Sequence, residues 1–207
     1  MNVWTGARAD TLRAFEEAAQ AFVDLVGQVR GDWDRPGLGR WDLRALVGHT
    51  ARALVTVSTY LDRPAGSVAL ESASAYLGAV GATDAEAVFA RGVAAGADLG
   101  DDPYASVTAT AERAVERVRA ADPEALIETV GGGMRVADYL PTRTFELVVH
   151  GLDLAAALGL DPEVPTAALR EAAGLAMQVA LDRGRGADLL LTLTGRADWP
   201  ADLVVIR

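Results

Sequence analysis

Arg143-Thr144-Phe145-Glu146-Leu147-Val148-Val149-His150-Gly151-Leu152-Asp153 is the stretch around which the chain is organised. Taken as a helix, it sets Glu146 and His150 four residues apart on one face, so a carboxylate oxygen and an imidazole nitrogen can converge on one point. That is the spacing of metal ligands. The chain holds only two histidines. The other, His49, lies in a second apolar helical stretch, Trp41-Asp42-Leu43-Arg44-Ala45-Leu46-Val47-Gly48-His49-Thr50-Ala51. Packed side by side, two such helices would assemble a His/Glu/His triad, leaving positions on a divalent metal open for water or a substrate sulfur.

Working outward, Gly159 suits the C-terminal cap of the Glu146 helix, and Pro141 is tolerated only in a first turn, which predicts a start near Ala137 or Asp138. Just upstream, Leu126 to Val130, Gly131-Gly132-Gly133 and Met134 to Val136 predict a short β-hairpin. Pro103 opens a helix that runs to about Ala121, with Pro123 marking its end. Asp42 is the expected N-cap of the His49 helix, which continues to about Leu61 with Ala45, Leu46, Arg52, Ala53 and Thr56 on the histidine's face. A first helix is predicted over Asp10 to Val29 from apolar residues at three- and four-residue steps. Residues 67 to 99 carry two short helices, the second behind a capping box at Thr83-Asp84-Ala85-Glu86.

After Pro165 a last helix spans Thr166 to Arg183 and ends in a turn at Gly184-Arg185-Gly186. Leu189 to Thr194 and Leu203 to Ile206 are predicted as two short strands. The expected fold is mainly α, a four-helix bundle with a short β-hairpin and a small C-terminal two-strand tail. Residues 1–186 form the metal-binding bundle domain and residues 187–207 the tail packed on it.

With 207 residues the chain suits one domain, long enough to bury roughly 70% of its unfolded surface. A surplus of 29 acidic over 19 basic residues, net charge −10, argues against nucleic-acid binding. No basic amphipathic helix and no long apolar run suggests a membrane. The N-terminus lacks a secretory signature, so a cytoplasmic location is expected. Absence of cysteine excludes disulfides, zinc–thiolate sites and a cysteine nucleophile. All basic residues are arginine, and Asn and Ile are scarce, which points to a GC-rich genome.

The two quoted motifs, with their spacing and the helical order around them, resemble the DinB-like superfamily, and within it the N-terminal domain of mycothiol-dependent maleylpyruvate isomerase. The resemblance implies a four-helix bundle with inward-facing metal ligands, carried here by His49, Glu146 and His150. It implies zinc as the metal and mycothiol as thiol cofactor, in an actinobacterial host that agrees with the GC-rich composition. The isomerase has a further C-terminal domain contributing to its active site. Only a short tail follows the last helix here, so the resemblance supports the metal site more directly than the isomerase activity.

Three ligands with an open position mark a catalytic site, where a coordinated thiol is held as thiolate near neutral pH. Such a thiolate would attack a small-molecule electrophile; in an isomerase the adduct rotates and expels the thiol, in a transferase it leaves. Asp153, three residues after His150, either orients its ring or is a solvated helix charge. Arg52 and Arg143 lie one turn from the presumed ligands, where either could pair with an anionic substrate group or make a structural salt bridge. Trp33, Trp41 and Tyr139 are read as core residues. Taken alone, Glu146 and His150 also fit a surface polar pair, and His49 a hydrogen-bonded core histidine. The competing function is a non-enzymatic bundle binding a small ligand or a protein; a homodimer is compatible with either.

Overall fold

The computed structural model describes residues 4–81, 84–161 and 163–200. Four long helices make the bundle: α1 (Ala7–Val26), α2 (Leu43–Tyr60), α5 (Pro103–Ala120) and α6 (Val136–Leu158). Helices α1 and α2 each pack against both α5 and α6. Around this ring, α3 (Ala73–Val80) lies on α6, α4 (Ala85–Ala97) lies on α2, and α7 (Thr166–Asp182) lies against α1, α3 and α6. The interior is a seam of large apolar side chains. Phe15 and Phe22 of α1, Leu46 and Leu54 of α2, Val107 and Val118 of α5, and Leu140, Leu147 and Leu154 of α6 are all buried. The last three recur every seven residues, the spacing that keeps one edge of a helix turned to its neighbours. Among the described residues no helix is long and apolar enough to cross a membrane.

Local chemistry sets the ends of the elements. The Asp42 carboxylate accepts from the Ala45 N–H at 2.7 Å and starts α2, as its position before the apolar run predicts. Asp102 does the same for α5, whose first residue is Pro103. Thr83 of the expected capping box lies outside the described residues, and the N-cap of α4 is Asp84, which accepts from the Glu86 N–H at 3.2 Å. Gly159 ends α6 in the left-handed conformation, φ 71°, which glycine alone adopts freely.

The predicted hairpin is present as β1 (Leu126–Thr129) and β2 (Gly132–Arg135), antiparallel with Leu126 opposite Arg135 and Thr129 opposite Gly132. It feeds directly into α6. That helix begins at Val136, so Pro141 falls in its second turn, not its first. The cause is tertiary: the carbonyls of Ala125 and Pro123 accept from the N–H groups of Val136 and Ala137 at 3.0 Å each, capping the helix earlier than the proline rule places it.

The C-terminal prediction needs correction. Leu189 to Thr194 is not a strand: Gly186–Leu193 forms a helix, α8, packed on α7. Its leucines are helix formers without β-branching, Arg185 bridges Asp188 one turn on at 2.7 Å, and among the described residues no neighbouring strand offers a ladder. The second expected strand, Leu203 to Ile206, lies outside the described residues.

Candidate metal centre

His49 is placed by an unusually close approach of α2 and α4. A Cβ on Gly48 would stand 2.2 Å from the backbone nitrogen of Gly96, so the two helices meet backbone to backbone beside the histidine. Trp41, just before α2, is wedged into the same contact. Its indole N–H donates to the Phe89 carbonyl at 3.1 Å, and its ring lies 4.5 Å from the His49 ring, tilted by 33°. Gly92 makes room for it, since a Cβ there would come within 2.5 Å of the indole.

From α6, Glu146 and His150 project toward α2 on successive turns. The Nε2 of His150 is 3.4 Å from Glu146 Oε2, and its Nδ1 is 2.9 Å from Asp153 Oδ2. The His49 and His150 rings meet edge to face with centroids 4.9 Å apart. One ligand atom from each of His49, Glu146 and His150 lies within 4.8 Å of the other two, so the three could hold a metal ion.

Electrostatics within the cluster are strongly coupled. Burial, then the charge of His150, pushes His49 down to about 4. For Glu146 burial alone would raise the pKa, but the hydrogen bond to His150 and the charge of Arg143 outweigh it and hold the carboxyl at about 2. Burial likewise opposes charge on His150, yet its bonds to Asp153 and Glu146 lift it to about 9. Asp153, bonded to Nδ1, fixes the ring so that the neutral form keeps its Nε2 lone pair toward Glu146. One atom is left over: His49 Nδ1 is buried with no hydrogen-bond partner. A buried imidazole nitrogen without a partner is unfavourable unless something coordinates it, and two imidazoles with one carboxylate form a donor set suited to zinc.

A family model of the mycothiol maleylpyruvate isomerase N-terminal domain matches residues 15–155. The chain belongs to this family. The match to the isomerase N-terminal domain spans all three residues of the triad and reaches from within α1 to near the end of α6, leaving α7 and α8 beyond it. No curated protein and no solved structure matches the chain.

In this member of the isomerase N-terminal domain family the arginines divide by depth. Arg143 is 8% exposed; its guanidinium lies 4.8 Å from the Tyr139 ring and 5.6 Å from that of Tyr76. Its Nε donates to Thr142 Oγ1 at 3.0 Å and its Nη1 to Thr56 Oγ1 at 3.4 Å. Among the described residues it makes no salt bridge, the structural role open to it on sequence grounds. Burial raises the hydroxyl pKa of Tyr139 and of Tyr76, so both rings face the guanidinium as neutral phenols. Arg52 is half-buried on α2, near enough for its charge to depress His49. So is the charge of Arg91 on α4, a residue the sequence reading passed over. Nothing in the spacing of Arg91 relative to His49 signals this; only the α2–α4 contact brings them together. Trp41 and Tyr139 are core residues as expected and Trp33 packs half-buried against that core; Trp41 also touches His49, while Tyr139 meets Arg143.

Proposed function

We propose that the protein is a divalent-metal-dependent enzyme that uses a small thiol of the mycothiol type in S-transfer to, or isomerisation of, a small electrophile. Zinc is the metal, held by His49, Glu146 and His150, and residues 1–186 are the metal-binding unit with 187–207 as an appendage. The observation that carries this reading is the convergence of one ligand atom from each of His49, Glu146 and His150 within 4.8 Å, beside a His49 ring whose Nδ1 is buried without a hydrogen-bond partner. A bound divalent ion would supply Lewis acidity and stabilise the deprotonated form of a thiol.

The chain's own residues do the rest. Asp153 orients the His150 imidazole through Nδ1 and keeps it in one tautomer. Trp41 covers one side of His49 and limits the access of water. Arg52 and Arg143, each one turn from a ligand, offer positive charge to an anionic part of the substrate. The protein has no cysteine, so the nucleophilic sulfur comes from outside the chain. We place the reaction in the cytoplasm, carried out by a monomer or a homodimer.

Elemental analysis of purified protein tests the proposal: about one zinc per chain is expected, lost in Glu146→Ala and His150→Ala. Protein that carries no metal and takes up none when zinc is added would defeat it. A second reading, a non-enzymatic bundle that binds a ligand or protein, is favoured by the way Glu146, His150 and Asp153 already satisfy one another. Titrating metal-loaded protein with a thiol separates the two, because only the enzyme reading expects the metal's coordination to change.

A further inference from the structure

We infer that α7 and α8 present a self-association face whose occupant is a second copy of this chain. Neither the metal nor the thiol enters into it. The starting point is α8, which carries four leucines in eight residues, yet none of its residues is buried in the single chain. Leu190, Leu191 and Leu193 stay 43–64% exposed. A helix of two turns is too short to hold itself together in water, and its stability comes from covering its apolar side.

The patch is continuous with α7. Met177 and Leu181, one turn apart on that helix, are both exposed, and Leu181 leans on the first residue of α8: a Cβ on Gly186 would stand 2.5 Å from Leu181 Cδ2. After α8 the chain folds back on it. The N–H groups of Arg196 and Ala197 both donate to the Leu191 carbonyl, at 2.7 and 3.2 Å, and Thr192 Oγ1 donates to the Asp198 carbonyl at 3.4 Å, which brings the exposed Trp199 to the same end of the molecule. Elsewhere among the described residues exposed large apolar side chains stand singly, as Val55 does on α2, Val93 on α4 and Tyr104 on α5. Single ones are ordinary; a contiguous group marks a surface that something covers.

Charge identifies the occupant. Residues 166–200 carry four arginines and four acidic residues, whereas the whole chain has a net charge of −10. Two copies therefore repel over the rest of their surfaces and can meet at this neutral face without that cost. Arg183, Arg185 and Arg196 are interspersed with Asp182, Asp188 and Asp198 along the segment. In a two-fold pair each patch faces its own image, so a border holding both signs can match itself. The size agrees as well: six side chains about half exposed offer on the order of 100 Å² each, and with their polar border they approach the roughly 800 Å² per partner of a standard interface. The face lies beyond residues 15–155, the part of the chain that the family model matches.

Sedimentation of the full chain over roughly 1–100 μM tests the pairing. Twice the chain mass is expected at the upper end, and Leu193→Asp should raise the dissociation constant at least ~10-fold with unchanged helix content, because no core contact is lost. Wild-type protein that stays single throughout, or a Leu193→Asp variant that pairs like wild type, would overturn the inference. A second measurement is independent of that variant. The chain has no cysteine, so Leu193→Cys and Val130→Cys each carry one thiol, both at exposed positions far apart in sequence. Maleimide labelling of Leu193→Cys should slow at least ~5-fold as concentration rises through the pairing range, while Val130→Cys reacts at a constant rate. Labelling of Leu193→Cys that is slow at every concentration would assign the cover to the chain's own residues 201–207, and labelling that is fast at every concentration would leave the face bare; either result rules out the second copy.

Discussion

Replacing Gly48 by alanine adds one methyl group at the point where α2 and α4 touch. The new Cβ would lie 2.2 Å from Gly96 N, and 2.5 Å from both Ala95 C and Gly96 Cα, more than an ångström short of ordinary contact. All three atoms are backbone, so no side chain can rotate away and the helices must part. Overpacking of this kind costs about 1–3 kcal/mol. Intrinsic helix preference runs the other way, favouring alanine over glycine by about 1 kcal/mol. Because three backbone atoms are struck, the upper end of about 3 kcal/mol applies, leaving a net loss of about 2 kcal/mol and, for a chain of this size, a fall of about 4–8 °C in the thermal midpoint. Because His49 is the next residue, metal affinity should fall as well. Gly174→Ala is the internal control: it lies inside α7 with nothing within 4 Å of a new Cβ, so it should stabilise by about 0.5–1 kcal/mol. Melting curves and zinc content of both variants give the answer. A Gly48→Ala protein as stable as wild type with full zinc would refute the close α2–α4 contact as the device that places His49.

Metal-free protein should be most stable near pH 6.5. His150 is raised to about 9, so its stabilisation is complete below its unfolded value of 6.5 and is lost as pH rises through 9. His49 is lowered to about 4 and Glu146 to about 2, so stability falls as pH drops from 6.5 toward 4, and again below 4.5. Urea midpoints from pH 5 to 9 measure this, and the alkaline loss should be absent from His150→Gln; an identical alkaline limb in that variant would contradict the assignment. Asp153→Asn should weaken zinc binding by ~10–100-fold, as measured by competition with a chelator, since it disturbs the ring orientation without removing a ligand; unchanged affinity would make Asp153 a bystander. Leu147→Ala, at the centre of the bundle, should lose about 2–5 kcal/mol in denaturant unfolding. A loss under 1 kcal/mol would place the core elsewhere.

The residues that carry the site were legible because their relation is local. Glu146, His150 and Asp153 share one helix, and helical spacing alone aligns them. Asp42, Pro103 and Gly159 were legible for the same reason, as caps act within a turn or two. His49 stood out as the only other histidine. What stayed hidden depends on contacts between distant segments. Arg91 comes near enough for its charge to act on His49 only through α2–α4 packing, and the ring faces of Tyr76 and Tyr139 meet Arg143 only in the folded bundle. The start of α6 was placed one or two residues late because carbonyls from Pro123 and Ala125, outside the helix, set where it begins. The leucine run from Leu189 failed differently: a short apolar run with alternating threonines fits period 2 as well as period 3.6, and where no partner strand meets it among the described residues its helix preference decides.

X-ray absorption on zinc-loaded protein addresses the central proposal directly. The account predicts one zinc per chain, a first shell of nitrogen and oxygen with outer-shell scattering from two imidazoles, and a sulfur neighbour after a small thiol is added. A spectrum without imidazole scattering, or one that the thiol leaves unchanged, would contradict it.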